Sequence, residues 1–388
     1  MLKRLWLLFA QATTVGLALL FIVATLKPHW LGGTPSIAPA TQVTIQQASA
    51  PDSARVVALK TYAEAARKAM PAVVSVYTTK EIRRGLPSQD PLFEHFFGDR
   101  MPGQGGRVTG LGSGVIAAPE GYVLTNHHVV EAADEIAVAL ADGRRVPATV
   151  VGADPETDLA VLRIEAGNLP VITLGSSDAL AVGDVVLAIG NPFDVGQTVT
   201  MGIVSAIGRN NLGINRYENF IQTDAAINQG NSGGALVDTA GNLVGINTAI
   251  FSPSRVGGSV GIGFAIPTAI VTGVMKELIA KGRVTRGYFG IEPVDITPEI
   301  VAALKLRREQ GVVVRGVQRS APAGAAGMEP GDVLIAINDI PVRDTPGMLN
   351  QIAQLPPGSV ARVRIERGSR ELDLNVTVGE RPVPPPRR

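Results

Sequence analysis

Hydrophobic and polar positions fall into distinct regimes along the chain. Lys3 and Arg4 precede an uninterrupted uncharged run of 22 residues from Leu5 to Leu26. A membrane-spanning helix needs about 20 such residues, whereas the apolar part of a signal peptide runs to about 7–15. The run therefore predicts a transmembrane anchor over 1–27, with the two basic residues left in the cytoplasm and the bulk of the chain across the membrane. In a two-membrane bacterium that side is the periplasm. Gln11, Thr13 and Thr14 interrupt the apolar character, and the competing reading is a long signal sequence that is cleaved. Residues 28–55 are Pro, Ala, Ser, Thr and Gln with little charge, a composition that predicts a disordered linker.

From 56 to 281 an Ala-rich helical start gives way to short Val/Ile-rich runs: Val73–Tyr77, Gly121–Leu124, Ile136–Leu140, Leu159–Ile164, Asp184–Ile189 and Asn242–Ile246. Gly, Pro, Asn or Asp bounds each one, as Ala141-Asp-Gly-Arg does between two of them. Short strands at such spacing, with a helical pattern only at each end (the second at Ile266–Lys281), predict a mainly β fold of barrels or packed sandwiches. Lys80–Arg107, with Gly, Pro and Phe93, Phe96 and Phe97, reads as a long mobile loop. After a seam at Gly282–Arg286, residues 284–380 show further strands at Val312–Val317 and Asp332–Asn338, a helix at Thr345–Gln354, and a hairpin of Val360–Glu366 and Glu371–Val378 through Arg367-Gly368. This is the pattern of a small α+β domain. Residues 381–388 form a Pro/Arg tail that cannot build a core.

Composition adds exclusions. The net charge is +1 and no long basic block stands out, so nucleic acid is not expected as a partner. The absence of cysteine removes disulfides, thiol nucleophiles and Cys-ligated metals together. Chemistry concentrates at Gly230-Asn-Ser-Gly-Gly234, where glycines around Ser232 free the backbone to turn sharply and aim N–H groups at one point. On its own the pentapeptide is equally a polar turn. It also fits the nucleophile elbow of α/β-hydrolases, but that arrangement needs a histidine after the serine. The four histidines are His29, His95, His127 and His128, and all precede it. A Ser/Lys dyad is excluded as well, since no lysine lies between Lys80 and Lys276. His127 or His128, at the end of a predicted strand, is then the candidate base. If the order is His, Asp, Ser, eight aspartates qualify. Asp158 is preferred because it heads the apolar run Leu159-Ala-Val-Leu, while Asp142, Asp178 and Asp184 adjoin turn residues.

Thr125-Asn-His-His-Val, Asp154-Pro-Glu-Thr-Asp158-Leu-Ala-Val-Leu and Gly230-Asn-Ser-Gly-Gly-Ala-Leu resemble the three catalytic segments of the HtrA serine proteases. Gly190-Asn-Pro-Phe-Asp, Gln222-Thr-Asp, Gly245-Ile-Asn-Thr and Gly261-Ile-Gly-Phe-Ala-Ile-Pro extend the resemblance over about residues 56–380. It implies a chymotrypsin-like double β-barrel protease with His128 as base, Asp158 as its orienting acid and Ser232 as nucleophile. Gly230 and Ser232 N–H would form the oxyanion hole, and no metal or cofactor would be required. By family position Ile227 and Ala249 would line a pocket for a small aliphatic residue before the cleaved bond. The second piece, with Ala321-Pro-Ala-Gly-Ala-Ala-Gly-Met leading to Pro330-Gly-Asp, resembles a PDZ domain. Its Tyr288-Phe289-Gly290-Ile291 matches the loop that holds a peptide's terminal carboxylate.

One anchor, one protease and one PDZ domain resemble the DegS-like members of this family. That resemblance implies a homotrimer in the inner membrane, inactive until C-terminal tails of misfolded outer-membrane proteins bind the PDZ domain, which then cleaves a transmembrane anti-sigma factor. It carries the switch to Arg209, Gln222 and Asp154, and to Phe193, which stands where relatives often have Tyr. Two other functions remain compatible with the residues: a broad quality-control protease or chaperone of the same fold, and a binding module whose barrel stays latent.

Overall fold

The computed structural model describes residues 2–27, 61–81, 107–131, 133–191, 196–210, 212–250 and 259–382. The expected linker 28–55, most of the expected 80–107 loop, Phe193 and the tail beyond Pro382 lie outside the described residues. Helix α1 (Leu2–Leu26) forms a unit by itself. Its 25 residues rise by about 37 Å, which exceeds a hydrocarbon core of about 30 Å. Thr13, Thr14 and Thr25 each return their hydroxyl to the carbonyl four residues back, so those polar groups are satisfied within the helix.

The second unit opens with α2 (Ala63–Ala69) and then builds two closed antiparallel barrels among the described residues. The first comprises β1 (Val73–Glu81), β2 (Arg107–Ala118), β3 (Tyr122–Thr125), β4 (Glu135–Ala139), β5 (Arg145–Asp154) and β6 (Leu159–Ile164), in the order β1-β2-β3-β6-β5-β4. A short helical turn, α3 (His127–Val130), follows β3. The second barrel repeats that order with β7 (Val185–Gly190), β8 (Thr198–Arg209), β9 (Phe220–Thr223), β10 (Ala235–Val237), β11 (Leu243–Ile250) and β12 (Gly263–Pro267). Alternation along the strands fills each barrel: Val76, Ile116, Val123, Val138 and Leu162 in the first, Val186, Val204, Ile221, Leu236 and Val244 in the second. A third apolar cluster joins Leu124, Leu159, Leu187, Ile189 and Phe220 to helix α4 (Thr268–Lys281) and so cements the two barrels together.

Two expected boundaries move. Lys80 and Arg107 belong to strands, because the β1–β2 ladder continues to the pair Glu81↔Arg107. The C-terminal helix begins at Thr268, two residues later than the pattern suggests, because Ile266 and Pro267 complete β12 against Ile246 and Gly245.

After Arg286 come β13 (Gly287–Tyr288), β14 (Ile291–Asp295), α5 (Pro298–Leu304), β15 (Val312–Val317), α6 (Pro322–Ala325), β16 (Val333–Ile337), β17 (Ile340–Pro341), α7 (Thr345–Gln354), β18 (Val360–Arg367), β19 (Arg370–Thr377) and β20 (Gly379–Glu380). The main sheet runs β14-β15-β16-β18-β19, which leaves β14 as an edge strand, and α7 packs beside β13 and β14. The expected helix and closing hairpin both form. Asp344 caps α7 by accepting from Gly347 N–H at 2.8 Å.

Leu162 is fully buried in the first barrel. Leu162→Ala is expected to lower unfolding stability by about 2–5 kcal/mol, measured as a fall in the urea midpoint without a change in slope.

Candidate active site

Three chain segments converge where the barrels meet. The turn α3 follows β3 and carries His128, Asp158 immediately precedes β6, and Ser232 lies in the turn before β10. His128 Nδ1 is 2.7 Å from Asp158 Oδ2, and the His128 backbone N–H donates to Asp158 Oδ1 at 2.9 Å. Thr248 on β11 donates its hydroxyl to the same Oδ2 at 2.7 Å. Burial alone would push the Asp158 carboxyl up, but the charge and hydrogen bonds of His128, with Thr248, hold it below the usual aspartate value. An ionised carboxylate only accepts, so the imidazole proton sits on Nδ1 and the Nε2 lone pair is the basic one.

Asp158 reaches this position at a φ of 58°, a left-handed conformation uncommon for a side-chain-bearing residue. Its carbonyl accepts from His127 N–H at 3.2 Å and Asn126 Nδ2 at 2.9 Å. The segments before and after the barrel crossing are thus tied at both the main chain and the carboxylate.

The nucleophile turn depends on glycine twice, at Gly230 (φ 101°) and Gly233 (φ 83°). A Cβ on Gly233 would lie 2.1 Å from the Ser113 carbonyl. Ser113 itself organises the turn: its hydroxyl donates to Gly230 O at 2.6 Å and its N–H to Ser232 O at 2.8 Å, while its own Oγ accepts from Asn191 N–H at 3.0 Å. With the Gly230 carbonyl held there and Asn231 N–H on Asn228 O, the N–H groups of Gly230 and Ser232 have no acceptor among the described residues. Ser232 Oγ rests against Thr248 O at 3.3 Å.

Other candidate residues divide. Ile227 is fully buried, packed against the close approach of Gly263. Ala249 lies on β11 opposite Phe264. Arg209 Nε donates to Gln222 Oε1 at 2.8 Å across β8 and β9. Asp154, at the end of β5, is buried against the second domain: Arg286 Nη1 donates to its Oδ1 at 2.8 Å and Nη2 to its Oδ2, which also accepts from Thr157. Burial opposes the Arg286 charge, but the bonds and charge of Asp154, with Glu156, raise its pKa further above the ordinary value. The Arg286 guanidinium also lies 4.5 Å from the Tyr217 ring centroid, and Arg381 pairs with Glu156 at 2.8 Å.

In the C-terminal domain Phe289 is core, and its carbonyl accepts from Ala323 N–H at 2.9 Å. Gly290 (φ 77°) passes its carbonyl to Gln318 N–H, and Tyr288 OH donates to Gln318 Oε1 at 2.8 Å. The loop 288–291 is therefore fastened from behind, with Ile291 opening the edge strand β14.

Sequence reasoning does not reveal Thr248, Ser113 or Arg286. The only local signal for Ser113 is its setting, Gly112-Ser-Gly114, which permits close approach of two backbones. Thr248 closes the stretch Gly245-Ile-Asn-Thr, which extends the family resemblance without giving that threonine a role, and Arg286 carries no motif.

Residues 112–246 match the trypsin-like peptidase domain family and residues 287–378 the PDZ domain family. The chain is 39% identical to the periplasmic serine endoprotease DegP of Salmonella typhimurium over 94% of this chain and 80% of that protein. It is 42% identical to the periplasmic pH-dependent serine endoprotease DegQ of Escherichia coli over 80% and 68%, respectively. The solved structure of the HtrA-type protease AlgW with a decapeptide superposes with a TM-score of 0.72 at 54% identity, covering 84% of this chain and all of that one.

Asp158→Asn is expected to lower kcat by about 10⁴-fold with the fold intact, by offering the imidazole the wrong hydrogen-bonding partner. Because the native carboxyl titrates below its unfolded value of about 3.9, it stabilises the fold above that pH and loses this contribution as pH falls through the native value. Wild type should therefore lose stability in that acidic interval by a component that Asp158→Asn lacks, measured by denaturant midpoints across pH.

Proposed function

Since the chain belongs to the HtrA family of serine proteases, we propose that it is a DegS-like member: a periplasmic endopeptidase anchored by α1 and restrained by its own PDZ domain. In this reading exposed carboxyl-terminal tails of misfolded outer-membrane proteins relieve the restraint, and the substrate is a transmembrane anti-sigma factor. The homotrimer is carried over from the same resemblance. The observation that carries the regulatory part is the buried pair between Asp154 and Arg286, four residues from Asp158 in the chain. The length and exposed apolar surface of α1 support the anchor.

Catalysis would proceed by acyl transfer. The Ser232 hydroxyl turns its proton from Thr248 O to His128 Nε2, and its oxygen attacks the peptide carbonyl. Charge developing on that carbonyl oxygen is received by the N–H groups of Gly230 and Ser232, each such donor contributing about 3–4 kcal/mol in well-studied cases. His128, now a cation beside the ionised Asp158, returns the proton to the departing amine. A water then attacks the acyl-enzyme by the same route in reverse. Buried Ile227 closes off depth next to the nucleophile turn, which supports a preference for Val or Ala before the cleaved bond.

Regulation follows from the cost of a buried charge. Arg286 is comfortable between the domains only while Asp154 and Glu156 face it; when the PDZ domain leaves, both partners regain water. Docked and undocked states are thereby balanced, and a ligand favouring the undocked PDZ domain shifts the population. Tyr217, against Arg286, and Asn350, whose Nδ2 donates to Glu218 O at 3.2 Å, extend the docking surface to the segment between β8 and β9. Arg209 ends β8 immediately before that segment.

The test is cleavage of a purified periplasmic anti-sigma-factor domain by the full chain, with and without a peptide ending like an outer-membrane porin. Single-site cleavage that requires the peptide and disappears in Ser232→Ala is expected. Peptide-independent digestion of any unfolded protein would replace this reading with general quality control, the kind of role that the relatedness to DegP and DegQ favours. Arg286→Ala should raise peptide-independent cleavage about tenfold or more, because losing one partner of a buried pair disfavours docking by several kcal/mol. A peptide library should show at least tenfold faster cleavage after Val or Ala than after Arg or Phe, as the difference of a few methylenes in a closed pocket allows.

A further inference from the structure

The free edge of β14 has a gap in its row of main-chain donors. Along β14 the residue pairs are Ile291↔Val317, Glu292↔Gly316, Pro293↔Val314, Val294↔Val313 and Asp295↔Val312, with the irregularity absorbed on the β15 side. Val314 directs both its polar groups the other way: its N–H donates to Asp332 O at 2.8 Å and its carbonyl accepts from Gly331 N–H at 2.8 Å. Pro293 and Val314 are therefore a pair that exchanges no hydrogen bonds, and in such a pair each backbone faces outward. By alternation Ile291, Pro293 and Asp295 face the open edge, the side on which an incoming peptide would add as a strand. Pro293 offers a carbonyl there but has no N–H.

Two residues further on the groove ends. Asp295 Oδ1 accepts from the Thr345 N–H at 2.6 Å, which ties the end of β14 to the first turn of α7. This hydrogen bond joins β14 to α7 at Asp295, whereas Ile291–Val294 pair with no strand on that side among the described residues.

We propose that Pro293 confines main-chain reading in this groove to the last three residues of a free carboxyl end, by leaving the carbonyl of the antepenultimate residue without a donor. The inference rests on the peptide-binding reading above. With the terminal carboxylate on the 288–291 loop, the last residue's N–H reaches the Ile291 carbonyl. The antepenultimate residue, one strand repeat earlier, meets Pro293. Its N–H can donate to the Pro293 carbonyl, but its own carbonyl stays with water. Upstream residues then meet the Asp295–Thr345 tie and leave the groove. Such an edge holds internal β-segments poorly, since a strand passing through would have neither the carboxylate contact nor a continuous ladder. The groove favours free chain ends and keeps their affinity modest.

The experiment uses the full chain in detergent with Ser232→Ala to prevent cleavage, and a fluorescein-labelled decapeptide ending in a free Phe. A second peptide replaces the amide between its antepenultimate and penultimate residues by an ester, which weakens the carbonyl in question as an acceptor. Measured by anisotropy, the two peptides should bind within about twofold of each other. Pro293→Ala should bind the amide peptide about 3–10-fold tighter, one hydrogen bond's worth, and lose that gain with the ester peptide. If the ester costs fivefold or more against the protein carrying Pro293, the carbonyl already has a donor and the proposal is overturned. A folded Pro293→Ala with no gain overturns it equally. Should Pro293→Ala fail to fold, the ester comparison in the parent decides alone. No binding of the amide peptide to the parent would instead remove the peptide-binding reading itself, and this inference with it.

Discussion

A carboxylate taken out of water has to find donors on every side, and much of this protein is arranged around that requirement at Asp158. Its two oxygens receive the ring and backbone of His128 and the hydroxyl of Thr248, while its carbonyl receives Asn126 and His127. Those partners come from α3 in the first barrel and β11 in the second. One buried charge therefore fixes the imidazole's tautomer and aim, and also ties the first barrel to the second through Thr248.

The turn 154–158 extends the same logic outward. Asp154 at its beginning faces Arg286, Glu156 in its middle faces Arg381, and Asn215 reaches Thr157 O from the β8–β9 connection. Four positions of chain therefore separate the carboxylate that faces Arg286 from the one that holds His128.

Much of the architecture was legible in the residues. Alternating runs between Gly and Asn or Asp punctuation mark most of the strands, and the absence of a histidine after Ser232 excludes the elbow-type hydrolases. The choice of His128 over its neighbour came from the family pattern, since spacing alone treats them alike. What stayed hidden has a common physical character. Thr248 and Ser113 act through one hydroxyl and main-chain groups set by strand register, and threonine and serine are too frequent for either role to be read from the residue, even with Thr248 inside the stretch Gly245-Ile-Asn-Thr. Arg286 pairs with a residue 132 positions away across a domain boundary, where no local pattern exists. The helix expected from Ile266 starts later because Pro267 fits a strand end and a helix entry equally well, and pairing with β11 decides between them.

The repeated strand order has a consequence for how the enzyme comes into being. His128 and Asp158 come from the first barrel, whereas Ser232 and Thr248 come from the second. A chain that has emerged only as far as β6 holds a base and its acid and nothing more of the site. Nothing capable of cutting a chain exists until β11 has been synthesised and folded against its predecessor. The division of the triad between two similar halves is thus a safeguard in time: a chain stalled within the first barrel carries no nucleophile.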